Sequence, residues 1–389
     1  MIMIKILLDA HVIGGEGQGS ATYLKGLYNI LMQDYADYYE VFIAGYNYEE
    51  LRRSFYLLEE SHFVPLQSHS TRQRLFVEFP AILATGHYDF AHFQYIIPFG
   101  GKTKFITTVH DVLFNDFKKE FPLHYRLSRN FLFKRSLKKS AIKLTVSNYS
   151  RKAIAHHYKI NESEILVTPN AVKPVFFEPY NKAAAQSLIK TKFGIENYIL
   201  YVSRIEPRKN HESLLKAFQE MNLAAKDITL VLIGNDTMKH KAFEQAIENL
   251  TLEEQKRFKW IKYVEDEDLM AFYQGARIFV YPSKAEGFGI PPIEAAALKI
   301  DTISSNTTSM EDFDFLGKNL ISPNDLGAFK ARLKVVLENP LEHQVLESIA
   351  NQIEMKYSWK KSAQVLHEAI QKEQINKVRK ETMVNTKPL

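Results

Sequence analysis

Residues 281–298 read YPSKAEGFGIPPIEAAAL. An apolar run over 277–281 enters this stretch as a strand, and an alanine-rich segment leaves it as a helix. Between them stand Gly287 and Gly289, which lack a Cβ and let a backbone approach a ligand closely. Pro291 and Pro292 follow, and proline suits a helix start, where its missing N–H is not needed. A helix start offers unpaired N–H groups and a positive dipole end, which together seat phosphate. Two carboxylates flank the glycines, Glu286 and Glu294. Glu294 falls about one turn into the helix. A carboxylate only accepts hydrogen bonds, so it can hold both hydroxyls of a ribose cis-diol. Glu286 is placed either to meet sugar hydroxyls or to brace the loop.

A second segment complements the first. Residues 203–210 read SRIEPRKN, after the strand predicted over 198–203 and ahead of a helix. Arginine presents a planar fork of donors and lysine a compact charge. Arg204 and Lys209 can together neutralise a diphosphate and the charge that develops as it departs, with no metal ion required.

The rest of the chain supplies the frame. Short apolar runs at 4–9, 39–44, 90–94, 104–110, 144–147 and 165–168 read as strands. A second series follows at 198–203, 228–234, 258–262, 277–281 and 302–304. Amphipathic segments such as 21–33, 212–219 and 266–274 lie between them. This alternation predicts parallel α/β sheets. The series breaks around 172–197, where Lys173-Pro174 and Glu178-Pro179 disfavour continuous helix. The expected layout is therefore a first domain over 1–176, a linker over 177–195 and a second domain over 196–356. A C-terminal helix over 357–375 and a loose tail over 376–389 complete it.

The segments 281–298 and 203–210 closely resemble the E-x7-E motif and the diphosphate-binding pair of retaining glycosyltransferases of the GT-B fold, in the large family four. That resemblance implies an α/β, GT-B architecture of two Rossmann-like domains facing across a cleft, the first binding the acceptor and the second the nucleotide sugar, the C-terminal helix crossing back to the first. It implies that Glu294 binds the ribose. Glu286, with the backbone of Gly287, Phe288, Gly289 and Ile290, would engage the donor sugar and phosphate, and Arg204 and Lys209 the diphosphate. Tyr263 and Val264 fall where the family holds the base. Gly14 and Gly15, within HVIGGEGQGS at 11–20, resemble its glycine pair over the donor and acceptor sites. His110, in TVHD at 108–111, matches a histidine that approaches the donor sugar, with Asp111 placed to orient the imidazole. The chain departs from the family after the helix that ends the 281–298 segment, with Lys299 and Asp301 where glycine and proline are common. The resemblance implies a nucleotide-diphosphate sugar donor, a glycan or lipid-linked acceptor and a role in surface polysaccharide synthesis.

Composition narrows the alternatives. With no cysteine, disulfides, thiolate metal sites and cysteine nucleophiles are excluded. The net charge of +5 is too mild and too spread for a nucleic-acid footprint, so no nucleic-acid partner is expected. The apolar run at the N-terminus is interrupted by Lys5, too short for a signal peptide or membrane span, and a cytoplasmic location is expected. Residues 117–139 hold eight Lys or Arg against one Glu, interleaved with Phe121, Tyr125, Phe131 and Phe133, which makes them a candidate peripheral contact with an anionic membrane. The acidic triplets at 266–268 and 312–314 sit late in the chain and are not read as a metal site; no cofactor is expected. The glycine spacing after the first strand does not give G-x-G-x-x-G, which counts against a nicotinamide oxidoreductase. An epimerase, a phosphorylase or a catalytically idle scaffold subunit on the same fold are the competing readings.

Overall fold

The computed structural model describes residues 3–15, 19–236 and 240–385, with the side chains of the last helix described to residue 376. The chain divides into two compact units, Met1–Asn170 with Ser358–Leu389, and Ala171–Tyr357. Each is built on one parallel sheet.

The first unit contains β1 (Ile4–Asp9), β2 (Tyr39–Gly45), β3 (Phe63–Pro65), β4 (Phe90–Gln94), β5 (Lys104–Thr108), β6 (Ile142–Thr145) and β7 (Ile165–Val167), in the order β3-β2-β1-β4-β5-β6-β7. Every residue of β4 is buried. A parallel strand covered on both faces has no wet side, which is why the sequence there is a run rather than an alternation. The helix Trp359–Asn385 clusters with this unit. Ala363, Leu366 and Ile370 are fully buried, and Lys104 pairs with Glu373 at 3.1 Å. Trp359 lies so close to the helix Gly19–Asp34 that a Cβ on Gly26 would fall within 2.0 Å of its ring.

The second unit contains β8 (Tyr198–Val202), β9 (Thr229–Ile233), β10 (Phe258–Ile261), β11 (Ile278–Tyr281), β12 (Thr302–Ser305) and β13 (Leu320–Ile321), ordered β10-β9-β8-β11-β12-β13. The helix Lys182–Phe193 is capped by Asn181 and ended by Gly194 at φ 67°. It packs on the helix Asp266–Gly275.

Three expectations need adjustment. Residues 171–195, read as the end of the first domain and a linker, are part of the second unit, because this helix and Phe176 find apolar partners there. The segment read as a loose tail from 376 continues as helix to Asn385, and residues 386–389 lie outside the described residues. The edge strands β3 and β13 had no counterpart in the sequence reading, being three and two residues long, too short for any periodicity.

Candidate functional site

In the second sheet the direction of strand addition reverses between β8 and β11. Loops leaving the carboxyl ends of such neighbours diverge and leave a crevice. The loops in question are 203–210 and 282–289, the two segments singled out in the sequence.

Both loops are fixed by backbone contacts. Gly234, at the exit of β9, has φ 146°, and a Cβ there would lie 2.1 Å from the carbonyl oxygen of Ser203. Only glycine lets these backbones cross. The N–H of Ser203 donates to Ile233 O at 2.9 Å, and that of Ile205 to Asn235 O at 2.8 Å. Asn210, in the left-handed region at φ 61°, donates from Nδ2 to Pro282 O and Pro323 O. The N–H of Lys284 donates to Arg208 O at 2.7 Å.

This scaffold gathers a charged cluster around Glu286, which is 6% exposed. Its Oε1 accepts from Lys209 Nζ at 2.5 Å, Tyr281 OH at 2.9 Å and Ser283 Oγ at 2.7 Å. Its Oε2 accepts from Arg208 Nη1 at 3.0 Å. Burial alone would raise this carboxyl, but the adjacent Lys209 and Arg208 overcome burial and hold it down to about 2. Burial lowers Lys209, and the Glu286 carboxylate opposes that shift. Arg208 also binds Glu206 at 2.8 Å. Arg204 is different: its side chain is 53% exposed and touches Glu206 at 3.4 Å. Arg204, Arg208 and Lys209 thus face Glu206 and Glu286, and the cluster carries more positive than negative charge where a phosphate would sit.

Glu294 sits on the helix Ile290–Ala297, partly buried, and accepts from Tyr273 OH at 3.2 Å. Burial raises its carboxyl to about 7, opposed by Tyr273 and Lys173. Gly289 at φ 91° starts the helix. Pro291 and Pro292 have no N–H, so in the first turn only Ile290 and Ile293 carry a donor.

Some expected residues look different in place. The Phe288 ring is buried against Tyr357 and Phe313, with centroids at 5.3 and 6.2 Å, so only its backbone is available to a ligand. Its carbonyl and that of Glu286 accept from Ser309 Oγ at 2.8 and 2.9 Å. Tyr263 is 68% exposed and donates to Glu265 at 3.0 Å, and Val264 is half-buried beside it.

Gly14, Gly15 and His110 belong to the first unit. Gly14 has φ 91°, and a Cβ there would strike the Glu50 carboxylate. Gly15 follows, exposed, and the glycine-rich reading over 16–18 lies outside the described residues. His110 is buried, and burial lowers its imidazole to about 3, so it is neutral. Gln94 Oε1 lies 2.5 Å from its Nε2, and Asp111 Oδ1 accepts from the Leu113 N–H.

Sequence reasoning missed Arg208, Tyr281, Ser283, Gly234 and Gln94. Arg208 stood inside a quoted segment, but composition does not say which of three neighbouring cations turns inward. Among the described residues, no group of three or more His, Asp or Glu is placed to hold a metal ion.

Known proteins resemble the chain over both units. Residues 185–353 match the family model Glycosyl transferases group 1, and residues 19–176 match Glycosyltransferase Family 4. The O-antigen chain mannosyltransferase B of Escherichia coli is 28% identical over 255 residues, 65% of this chain and 66% of that protein. The serotype-specific mannosyltransferase WbdA of Escherichia coli is 26% identical over 226 residues, 56% of this chain and 27% of that protein. The chain thus spans less than two thirds of the length of these curated relatives. A crystal structure of Anabaena HepE in complex with UDP and glucose has a TM-score of 0.73 at 15% identity, over 95% of this chain and 100% of that one. It shares the fold.

Proposed function

The chain belongs to the group 1, family 4 glycosyltransferases, with their two-domain GT-B fold, and from that premise we propose that it moves a hexose from a nucleotide-diphosphate sugar to a glycan or lipid-linked acceptor, with retention at the anomeric carbon, in surface polysaccharide synthesis. The names of the curated relatives favour mannose as the sugar, and a GDP-linked donor is the first reading. UDP-hexoses are the second reading, on the ligands of HepE.

The observation that carries the proposal is the cation-rich cluster between the ends of β8 and β11. Arg204 reaches the diphosphate from solvent. Lys209 is held from behind by Glu286 and Tyr281, and directs its remaining N–H at the same charge. Ile290, at the helix start, adds backbone donors with Gly287 and Gly289. Glu294 holds the ribose hydroxyls, and Tyr263 and Val264 flank the base. His110 acts as a neutral hydrogen-bonding group.

Glu286 is a brace rather than a nucleophile. Its carboxylate already accepts from Lys209, Tyr281, Ser283 and Arg208, and its low pKa makes it a poor base. Retention then follows front-face attack. The bond from the anomeric carbon to the diphosphate oxygen breaks, the bond to the acceptor oxygen forms on the same face, and the departing phosphate takes the acceptor proton. Charge on that phosphate is met by side-chain cations, so the reaction is proposed to need no divalent metal.

On the helix Leu123–Lys139, Leu123, Leu127 and Phe131 are exposed at successive turns beside Arg126, Arg129 and Lys134. We assign this face to peripheral contact with an anionic membrane. Among the described residues no helix is long and apolar enough to cross one.

A thermal-shift panel of nucleotide diphosphates and nucleotide sugars, with EDTA or with magnesium, tests the proposal. A ligand at 100 times its Kd adds about 2.7 kcal/mol. Stabilisation by one base series, equal in EDTA and magnesium, is expected. No response to any nucleotide would overturn the donor site, and a magnesium requirement would overturn the metal-independent part.

A further inference from the structure

Arg74 opens the π-helical turn Arg74–Glu78 in the first unit, after the carboxyl ends of β2 and β3. It is 5% exposed. Its guanidinium has five N–H donors, yet among the described residues its one side-chain hydrogen bond runs from Nη1 to Tyr46 OH at 3.3 Å. Nε is sealed from solvent with no acceptor. Among the described residues Arg74 forms no ion pair. Glu78, one turn on, uses Oε1 to accept from the N–H groups of Gln67 and Ser68, and its Oε2 is buried without a partner.

Arginine is almost never fully buried unless paired, because an uncompensated guanidinium loses its hydration for nothing. This one also sits in a π turn, a rare geometry that is frequent at functional sites. Its remaining N–H donors suit a planar oxyanion. Tyr46 directly follows β2, donates its hydroxyl proton to Ser68 O at 3.0 Å, and stacks on the exposed His69 at 4.0 Å. The neighbouring side chains Phe76 and Val77 are 55% and 60% exposed. The first stacks on Phe99 at 4.2 Å, which Arg135 covers from its other contact at 3.8 Å.

We propose that Arg74 anchors an oxyanion carried by the acceptor, a phosphate or a carboxylate, with Tyr46 and His69 beside it and the apolar Phe76 and Val77 alongside for a hydrocarbon chain. The proposal rests on the expectation, implied by the family resemblance, that the first unit binds the acceptor. It commits to an anionic acceptor, which the transferase reading by itself does not require.

The test measures binding of farnesyl phosphate, farnesol and glucuronic acid to the full chain and to Arg74→Gln, with nucleotide binding to the second unit as the control for folding. Farnesyl phosphate is expected to bind about 10- to 100-fold more tightly than farnesol, the range of a charge-assisted hydrogen bond. Arg74→Gln is expected to abolish that preference and leave the nucleotide shift unchanged. Competition by glucuronic acid, lost in the same variant, would assign the anion to a sugar carboxylate rather than a lipid phosphate. Equal affinities in both proteins, or no binding of either anion, would overturn the subsite, while an intact nucleotide shift would leave the donor reading standing. If Arg74→Gln does not fold, Arg74→Lys keeps the charge and loses the planar fork. Its affinity for the preferred anion is expected to fall several-fold, and an unchanged value would overturn the assignment.

Discussion

If Glu294 holds the ribose, donor affinity depends on pH, and the structure sets the slope. The carboxyl is raised to about 7 by burial. Only the ionised form accepts from both ribose hydroxyls, so the apparent Kd is the intrinsic value divided by the ionised fraction. With a pKa near 7, about nine tenths is ionised at pH 8 and about one tenth at pH 6, so affinity should fall about tenfold between them. A nucleotide sugar is the right probe, because its diphosphate has no proton to titrate in that window. Calorimetric titration at pH 6, 7 and 8 of the wild type and Glu294→Gln measures the effect. The variant should bind more weakly at pH 8 and show no pH slope of its own. The same residue has a stability signature. A carboxyl raised from its ordinary value contributes stability that is fully present below about 4.5 and is lost as pH climbs through 7, by up to about 3 kcal/mol. Glu294→Gln should therefore lose less stability than the wild type between pH 5 and pH 8. A flat affinity profile in the wild type, or an identical slope in the variant, would refute the ribose role.

Other predictions concern the cluster. Arg204→Ala should lower kcat by about 10²–10³-fold if it meets charge on the leaving diphosphate, with thermal stability near wild type because the side chain is half exposed; steady-state kinetics and a melt check both halves. Glu286→Gln should destabilise by about 3–5 kcal/mol, since Lys209 and Arg208 lose the buried carboxylate between them, as read from urea unfolding. Glu286 is lowered to about 2, so its stabilising contribution is present above about 4.5 and is lost as pH falls toward 2; acid unfolding of the wild type should show a loss there that the variant lacks. Gly234→Ala should displace the loop at 203–204, because its Cβ meets backbone rather than a movable side chain, and both stability and turnover should drop together.

Much of the site was legible because its chemistry and its fold share residues. The glycines and prolines of 281–298 report a strand–loop–helix turn by their backbone needs, and the two glutamates lie within that turn. The pair Arg204 and Lys209 was legible by charge and position. What was not legible was orientation. Three cations lie at 204, 208 and 209, and only the fold shows that Arg208 and Lys209 turn onto Glu286 while Arg204 stays in solvent. Gly234 carried no motif, since its need for a positive φ arises from the backbone of a loop that is distant in sequence. Gln94 was hidden in a buried strand, where a polar residue reads as an irregularity until its histidine partner appears. The domain boundary was misplaced because two X-Pro pairs near 174 and 179 report a break in helix, not a break in packing.

The two glutamates of the turn share a residue type and an eight-residue spacing, but their surroundings drive them apart. Glu286 is enclosed by two cations, a tyrosine and a serine and is held near 2. Glu294 meets one neutral hydroxyl on a helix of alanine and isoleucine and rises to about 7. Such divergence of paired carboxyls separates roles. The first is permanently charged and fully engaged, and its value lies in fixing Lys209. The second changes protonation near neutrality, which suits a group whose hydrogen bonds form only when a diol arrives. On the proposed reading neither acts as the nucleophile: positive charge at the phosphate end of the scissile bond carries the reaction, and the acceptor proton leaves with the diphosphate.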